Sequence, residues 1–173
     1  MPVTLLAHTC SRPSDTYADA VSSLQAPAQP LFISITPADH QSFVSSVDAE
    51  LGGIVLTLAC PDPAALPALH LSTASEVIST LEATDSKLTS GPIVFAPSSA
   101  SRVRLTAGGT FRISLASGSP GNCTVAAAVT GYAGGALQLA LNSSETSLDL
   151  VFETLMGLCF NTHMILTDAR CSV

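Results

Sequence analysis

The stretch RVRLTAGGTFRISLA, residues 102–116, alternates apolar and polar residues on both sides of a central Ala-Gly-Gly. Such alternation is typical of strands with one buried face, and glycine supplies the left-handed backbone that a short loop requires. A three-residue Ala-Gly-Gly loop would set Val103 opposite Ile113 and Arg104 opposite Arg112. The stretch therefore predicts an antiparallel hairpin that sorts its apolar residues onto one face.

The outer face of this hairpin would carry three arginines. Arg102, Arg104 and Arg112 are half of the six basic residues of the chain. Like charges that face each other across a strand pair destabilise it by up to ~1 kcal/mol unless an anion lies between them. That anion is either a surface carboxylate from an adjacent strand or an acidic segment of a neighbouring subunit. We therefore treat the three arginines as candidate interaction residues.

Strands are also predicted along most of the chain outside this hairpin. Short apolar or alternating runs, bounded by proline, glycine or serine, are typical of strands in a mainly-β domain. They occur at 3–6, 31–35, 54–59, 69–71, 93–95, 123–130, 137–141 and 164–166. This pattern favours an antiparallel β architecture.

Two or three short helices are expected between these strands. Thr36 begins one of them, with Pro37 at its first position and the Asp39 carboxylate in its first turn. The sequence Thr-Ala-Ser-Glu at 73–76 has the spacing of a capping box, which satisfies backbone donors at a helix start. Residues 148–159 fit either a helix or a strand.

The expected fold is a mainly-β antiparallel sandwich or jelly-roll-like barrel with these helices inserted between strands. An α+β sheet with two helices on one face is the alternative. Residues 1–30 are expected to form an N-terminal strand and a proline-bearing arm, with a helical turn through Tyr17, Val21 and Leu24. Residues 31–173 are expected to form a single mainly-β domain.

The surface is expected to carry unusually little charge. Charged residues make up 11% of the 173 residues, and 13 acidic against 6 basic residues give a net charge of -7. An acidic chain does not neutralise phosphates, so direct nucleic-acid binding is not expected. No apolar run reaches the ~18 residues of a membrane-spanning helix, so no membrane span is expected.

A weakly charged surface is consistent with two classes of protein, because monomeric domains usually stay apart through mixed surface charge. In the first class, neighbouring subunits cover the surface. The chain would then be a non-enzymatic, self-associating structural subunit, such as a viral coat, cement or decoration protein in a virion. In the second class, glycans provide solubility, and the chain would be a secreted or host-directed binding module located outside the cell.

The cysteines favour neither a metal site nor a disulfide framework. Cys10, Cys60, Cys123, Cys159 and Cys171 are odd in number and form no C-x-x-C pair. Because unpaired cysteine behaves as a small hydrophobic residue, we expect five unpaired thiols. We expect no metal and no cofactor. Two N-glycosylation sequons, at Asn122 and Asn142, become meaningful if the chain is secreted.

Two short segments contain residues suited to nucleophilic catalysis. Residues 115–120, Leu-Ala-Ser-Gly-Ser-Pro, resemble the nucleophile loop of chymotrypsin-like serine proteases, and residues 5–10, Leu-Leu-Ala-His-Thr-Cys, loosely resemble their general-base segment. The resemblance implies His8 as base and Ser117 as nucleophile, with a carboxylate between them in the sequence. The chain departs from the family because Leu115 stands where the family has glycine.

Overall fold

The computed structural model describes residues 30–62, 65–85, 87–98, 101–118, 122–129, 132–140 and 148–157, and the backbone of residues 16–21. Thirteen strands run through this part of the chain. They are β1 Thr16–Val21, β2 Leu31–Ile33, β3 His40–Val44, β4 Ala49–Ala59, β5 Leu69–Ser72, β6 Val77–Ala83, β7 Ser90–Pro97, β8 Arg104–Leu105, β9 Thr110–Leu115, β10 Thr124–Ala128, β11 Leu137–Gln138, β12 Asp149–Leu150 and β13 Phe152–Gly157.

The strands form one antiparallel sheet that curls into a half-barrel. Its main path runs β1-β13-β4-β7-β6-β5-β9-β3-β11, while β10 pairs with β2, β4 and β12, and β8 pairs with β4. The prediction of a mainly-β antiparallel fold of the sandwich or barrel type is therefore confirmed. Among the described residues, no helix is long and apolar enough to cross a membrane.

The concave side of the sheet holds the hydrophobic core. Burial alternates along most of the long strand β4 and along β9, so one face of each strand is enclosed. Phe43 packs on Phe111 and Phe152, with ring centroids 5.7 and 5.9 Å apart, and Tyr132 meets Phe152 edge-on. Each buried aliphatic or aromatic side chain of this kind contributes about 1.5–3 kcal/mol of hydrophobic free energy.

The helix expected to start at Thr36 is absent, and the prediction was wrong. Residues 36–39 form a turn in which the Asp39 carboxylate accepts hydrogen bonds from the backbone amide and the hydroxyl of Thr36, at 2.6 and 2.8 Å. The chain then continues as β3. The same side-chain bonds that cap a helix also close a turn, so the motif does not determine whether a helix or a strand comes after it.

The capping box at 73–76 also closes a turn and does not start a helix. The Thr73 hydroxyl accepts hydrogen bonds from the amides of Ser75 and Glu76, but it closes the turn between β5 and β6. Residues 77–83 form a strand and not a helix. With both expected helices replaced by strands, the α+β alternative is wrong for the described part of the chain.

Two ambiguous segments are strands. Within the predicted arm, residues 16–21 pair with β13, so no helical turn runs through Tyr17 and Val21. The described part of 148–159 forms β12 and β13. The strands expected at 3–6 and 164–166 lie outside the described residues.

The prediction of a hairpin at 102–116 was also wrong. β8 pairs with β4, where Arg104 lies opposite Glu50, whereas β9 pairs with β3 and β5. The link between β8 and β9 has the predicted left-handed Gly108, with φ of +75°, but it joins strands that have different partners. Alternation determined which face of each strand is buried, but it does not determine the partner strand.

Candidate functional site

An open strand edge with exposed apolar side chains is the clearest candidate for binding. β6 pairs with β5 from Val77 onwards, but its pairing with β7 covers 81–83 alone. Within the described residues, the β7-facing side of residues 77–80 therefore has no partner strand. Val77 is 55% exposed and Ile78 is 39% exposed. We call this feature the β6 edge.

The β6 edge exists because β7 stops early. Pro97 lies opposite Leu81 at the last paired position, and proline has no N–H with which to continue the ladder. Ser98 and Ser101 then form a turn, in which the Ser101 amide donates to the Ser98 carbonyl at 2.8 Å. A groove remains between the turn and the edge, lined by Val77, Ile78, Ser79, Thr80, Glu82, Ser98 and Ser101.

A second candidate is a polar surface on the outer side of β3, β9 and β5. Arg112 lies opposite Ser42 on β3 and Ser72 on β5, and Ser114 lies opposite His70. In the described part of the chain, no carboxylate lies within ion-pairing distance of Arg112. Arg112 thus lies between two hydroxyl-bearing residues, Ser42 and Ser72.

His40 lies at one end of this polar surface. It is half-buried, and its Nε2 atom has no hydrogen-bond partner among the described residues. Burial, followed by the positive charge of Arg112, holds the pKa of His40 below its usual value of 6.5. The imidazole is thus kept neutral beside a cation.

Asp39 anchors the loop that positions His40. Its carboxylate accepts a hydrogen bond from the Ala140 amide at 2.7 Å, which ties the β2–β3 loop to the residues that follow β11. Burial would raise the pKa of Asp39, but hydrogen bonds from the backbone of Thr36 and Ala140 and from the Thr36 hydroxyl outweigh it. The nearby His40 adds to their effect, so the pKa is lowered below 3.8.

Arg104 and Arg112 do not face each other across a hairpin as expected. Arg102 and Arg104 lie beside β4, and Arg102 approaches Glu50 with an N–O distance of 3.8 Å. Arg112 lies on β9 between other neighbours. A surface carboxylate from an adjacent strand was one of the two expected alternatives, and for Arg102 that carboxylate is Glu50 on β4. An ion pair this exposed contributes about 0–1 kcal/mol.

The protease-like residues are not brought together in the described part of the chain. Ser117 is exposed in the turn after β9, followed by Gly118 with φ of +83°. No histidine or carboxylate among the described residues hydrogen-bonds to its hydroxyl. His8 lies outside the described residues.

Two cysteines are paired, which overturns the prediction of five unpaired thiols. Cys60 and Cys123 form a disulfide with a Cα–Cα distance of 4.2 Å. Cys60 follows β4 and Cys123 precedes β10, and antiparallel pairing of these strands sets Thr124 opposite Ala59. The sequence did not indicate this pairing, because the two cysteines have a sequence separation of 63. Cys10, Cys159 and Cys171 lie outside the described residues.

Sequence reasoning missed the β6 edge because the capping box at 73–76 predicts a helix, and not an edge strand, for the residues that follow it. One signal could have revealed it: Pro97 closes an apolar run, and proline is confined to edges and ends of strands. No protein-family model matches the chain, and no curated protein is significantly similar to it.

Proposed function

We propose that the chain is a non-enzymatic structural subunit that self-associates through the β6 edge. The observation that carries this proposal is one side of residues 77–80, which pairs with no strand in the described part of the chain and where Val77 and Ile78 are exposed. Exposed strand edges are templates for pairing with another chain, and natural proteins usually protect them with charge or proline. Residues 77–80, Val-Ile-Ser-Thr, contain neither.

A second copy of the same strand fits this edge. Antiparallel pairing of β6 across a two-fold axis, centred between Ile78 and Ser79, sets Ile78 opposite Ser79 and Val77 opposite Thr80. Because β7 already occupies this side of residues 81–83, the pairing is confined to residues 77–80. None of these residues is charged, so the pairing satisfies backbone donors and acceptors without bringing like charges together.

The biological assembly we favour is a virion, in which the chain acts as a coat, cement or decoration protein. Its support is the net charge of -7 spread over few charged residues, which suits a surface covered by neighbours. Arg112 provides a docking point for an acidic segment of another subunit, because its half-buried charge lies among hydroxyls. Arg102 and Arg104 are weaker candidates, since Glu50 lies beside them.

Oligomeric state tests the proposal directly. Light scattering on the purified full chain should report a dimer or larger species at micromolar concentration. Ile78→Lys should shift this species towards monomer, because a buried lysine in the paired edge loses its hydration. Leu88→Lys is the matched control: Leu88 is 41% exposed outside the β6 edge. A monomeric wild-type chain, or dissociation by both variants alike, would contradict the proposal, provided that circular dichroism shows folded protein.

A secreted binding module is the second candidate, and the Cys60–Cys123 disulfide favours it. Structural disulfides persist in oxidising compartments and are rare in the cytosol. Two measurements on protein isolated from its native source distinguish the two candidates. Peptide mapping without reduction shows whether Cys60 and Cys123 are linked, and light scattering gives the oligomeric state. A linked Cys60–Cys123 pair in a monomer supports the binding module, and a self-associated chain supports the structural subunit.

A further inference from the structure

The first sequon, Asn122-Cys123-Thr124, lies where the chain enters β10. Asn122 is exposed in the turn before the strand, Cys123 is buried and disulfide-bonded, and Thr124 begins the ladder with β4. The three residues therefore differ sharply in accessibility. The side chain that would carry a sugar is the one that faces solvent.

Two independent features of this segment require the same cellular compartment. A disulfide forms under oxidising conditions, and Asn-x-Ser/Thr is the acceptor sequence for N-linked glycans in secreted chains. The middle residue of the sequon is itself half of the disulfide. We propose that Asn122 is an N-glycosylation site and that the glycan is attached before the Cys60–Cys123 bond closes.

The reaction is a group transfer from a lipid-pyrophosphate-linked oligosaccharide. The Nδ2 atom of Asn122 forms a bond to the anomeric carbon of the first sugar, and the bond from that carbon to the pyrophosphate oxygen breaks. The amide loses one proton to a base of the transferase or of the solvent, and the lipid pyrophosphate leaves with the bonding electron pair. No oxidation or reduction occurs, and no group of the folded chain takes part.

The order of events follows from the folded geometry. In the native structure Thr124 pairs with Ala59, and its hydroxyl donates to the Ala59 carbonyl at 3.4 Å. A transferase must bind the sequon hydroxyl, which these contacts occupy. Closing the disulfide holds β10 against the end of β4, so it removes the acceptor conformation. The glycan is therefore added to the chain before this pairing forms.

An Asn122 glycan is compatible with self-association, although the inference does not depend on it. Asn122 lies two residues before Thr124, which pairs with Ala59 at the end of β4, and Ala59 pairs with Ser90 at the start of β7. The β6 edge lies beyond Pro97, at the other end of β7. β7 has eight residues, so these ends are separated by roughly 25 Å along the strand.

Translation of the full chain behind a secretory leader, in the presence of endoplasmic reticulum membranes, tests the proposal before folding can interfere. Peptide-N-glycosidase treatment followed by mass spectrometry should find Asn122 converted to aspartate. Asn122→Gln and Thr124→Ala should abolish this conversion, and Thr124→Ser should retain it because the hydroxyl remains. Unmodified Asn122 in the wild-type chain overturns the proposal, whether or not Asn142 is modified.

The order of events has its own test. The double variant Cys60→Ser, Cys123→Ser retains a sequon, since serine is allowed in the middle position. Its Asn122 occupancy should equal or exceed that of the wild type, because nothing locks β10 early. Lower occupancy in the double variant contradicts glycosylation before disulfide closure. Free Cys60 and Cys123 thiols in the secreted wild-type protein would also overturn the proposal.

Discussion

Gln41 and Asp149, 108 residues apart in the chain, are joined by a hydrogen bond buried inside the sheet. The Gln41 Nε2 atom donates to the Asp149 carboxylate at 3.2 Å, and the side-chain Oε1 atom of Gln41 accepts from the Leu150 amide at 2.9 Å. Both side chains are more than nine-tenths buried. One glutamine thus joins β3 to β12, which lie in different parts of the half-barrel.

Replacing Gln41 by alanine should destabilise the fold by about 2–4 kcal/mol, because two buried hydrogen bonds are lost and a cavity remains. The denaturant midpoint measures this change. Gln138→Ala, on the exposed face of the adjacent strand β11, is the matched control and should cost less than ~1 kcal/mol. Equal losses in the two variants would mean that the buried network contributes nothing.

Removing the Cys60–Cys123 disulfide should lower stability by up to ~4 kcal/mol, since it closes a long loop in the unfolded chain. The sequence separation of 63 residues determines that loop. Thermal melting of the wild type with and without reductant, compared with the Cys60→Ser, Cys123→Ser variant, measures the effect. Reductant should not change the melting temperature of the double variant. If reductant lowered the melting temperature of the double variant, other cysteines would be responsible for the effect of reductant.

Asp39 should make stability depend on pH in the acid range. Its folded pKa is lowered below 3.8, so the unfolded chain binds the proton first. The contribution is fully present above about pH 4 and is lost as the pH falls through the folded pKa. Asp39→Asn should flatten the decline in denaturant midpoint below about pH 4. An unchanged decline would show that other carboxylates control acid unfolding.

His40 should make the stability of the fold depend on pH in a second range, nearer neutral pH. Its folded pKa lies below 6.5, so protonation favours the unfolded chain as the pH falls past that value. Stability is complete above about pH 6.5, falls until the folded pKa is reached, and changes no further below it. His40→Gln should remove this step from the midpoint-versus-pH curve. His70→Gln, on β5 of the same polar surface, should leave it in place.

Gly135 should not tolerate a side chain. A Cβ atom there would collide with the backbone carbonyl of Ser42, and Ser42 itself exchanges hydrogen bonds with Ala136. Gly135→Ala should therefore separate this segment from β3 and cost about 2–3 kcal/mol. Hydrogen exchange at the Ser42 amide measures the separation. Gly118→Ala, where nothing lies within 4 Å of the new Cβ, isolates the cost of a positive φ alone.

Local sequence determined much of the strand content and the faces of several strands. The alternation of β9 correctly assigned Phe111, Ile113 and Leu115 to the core, because side-chain direction along a strand repeats every two residues. The left-handed Gly108 was also predictable, since few other residues adopt that backbone. These properties depend on neighbours in the chain.

Tertiary structure alone decided which strands pair and whether the capped turns lead to helices. Residues 77–83 are a strand because β5 and β7 offer them backbone partners, a contribution that helix-start signals cannot reveal. The disulfide and the β6 edge likewise depend on where β10 and β7 lie relative to β4 and β6. Strand partners are chosen by the burial of distant surfaces, and local periodicity carries no information about which distant surface is available.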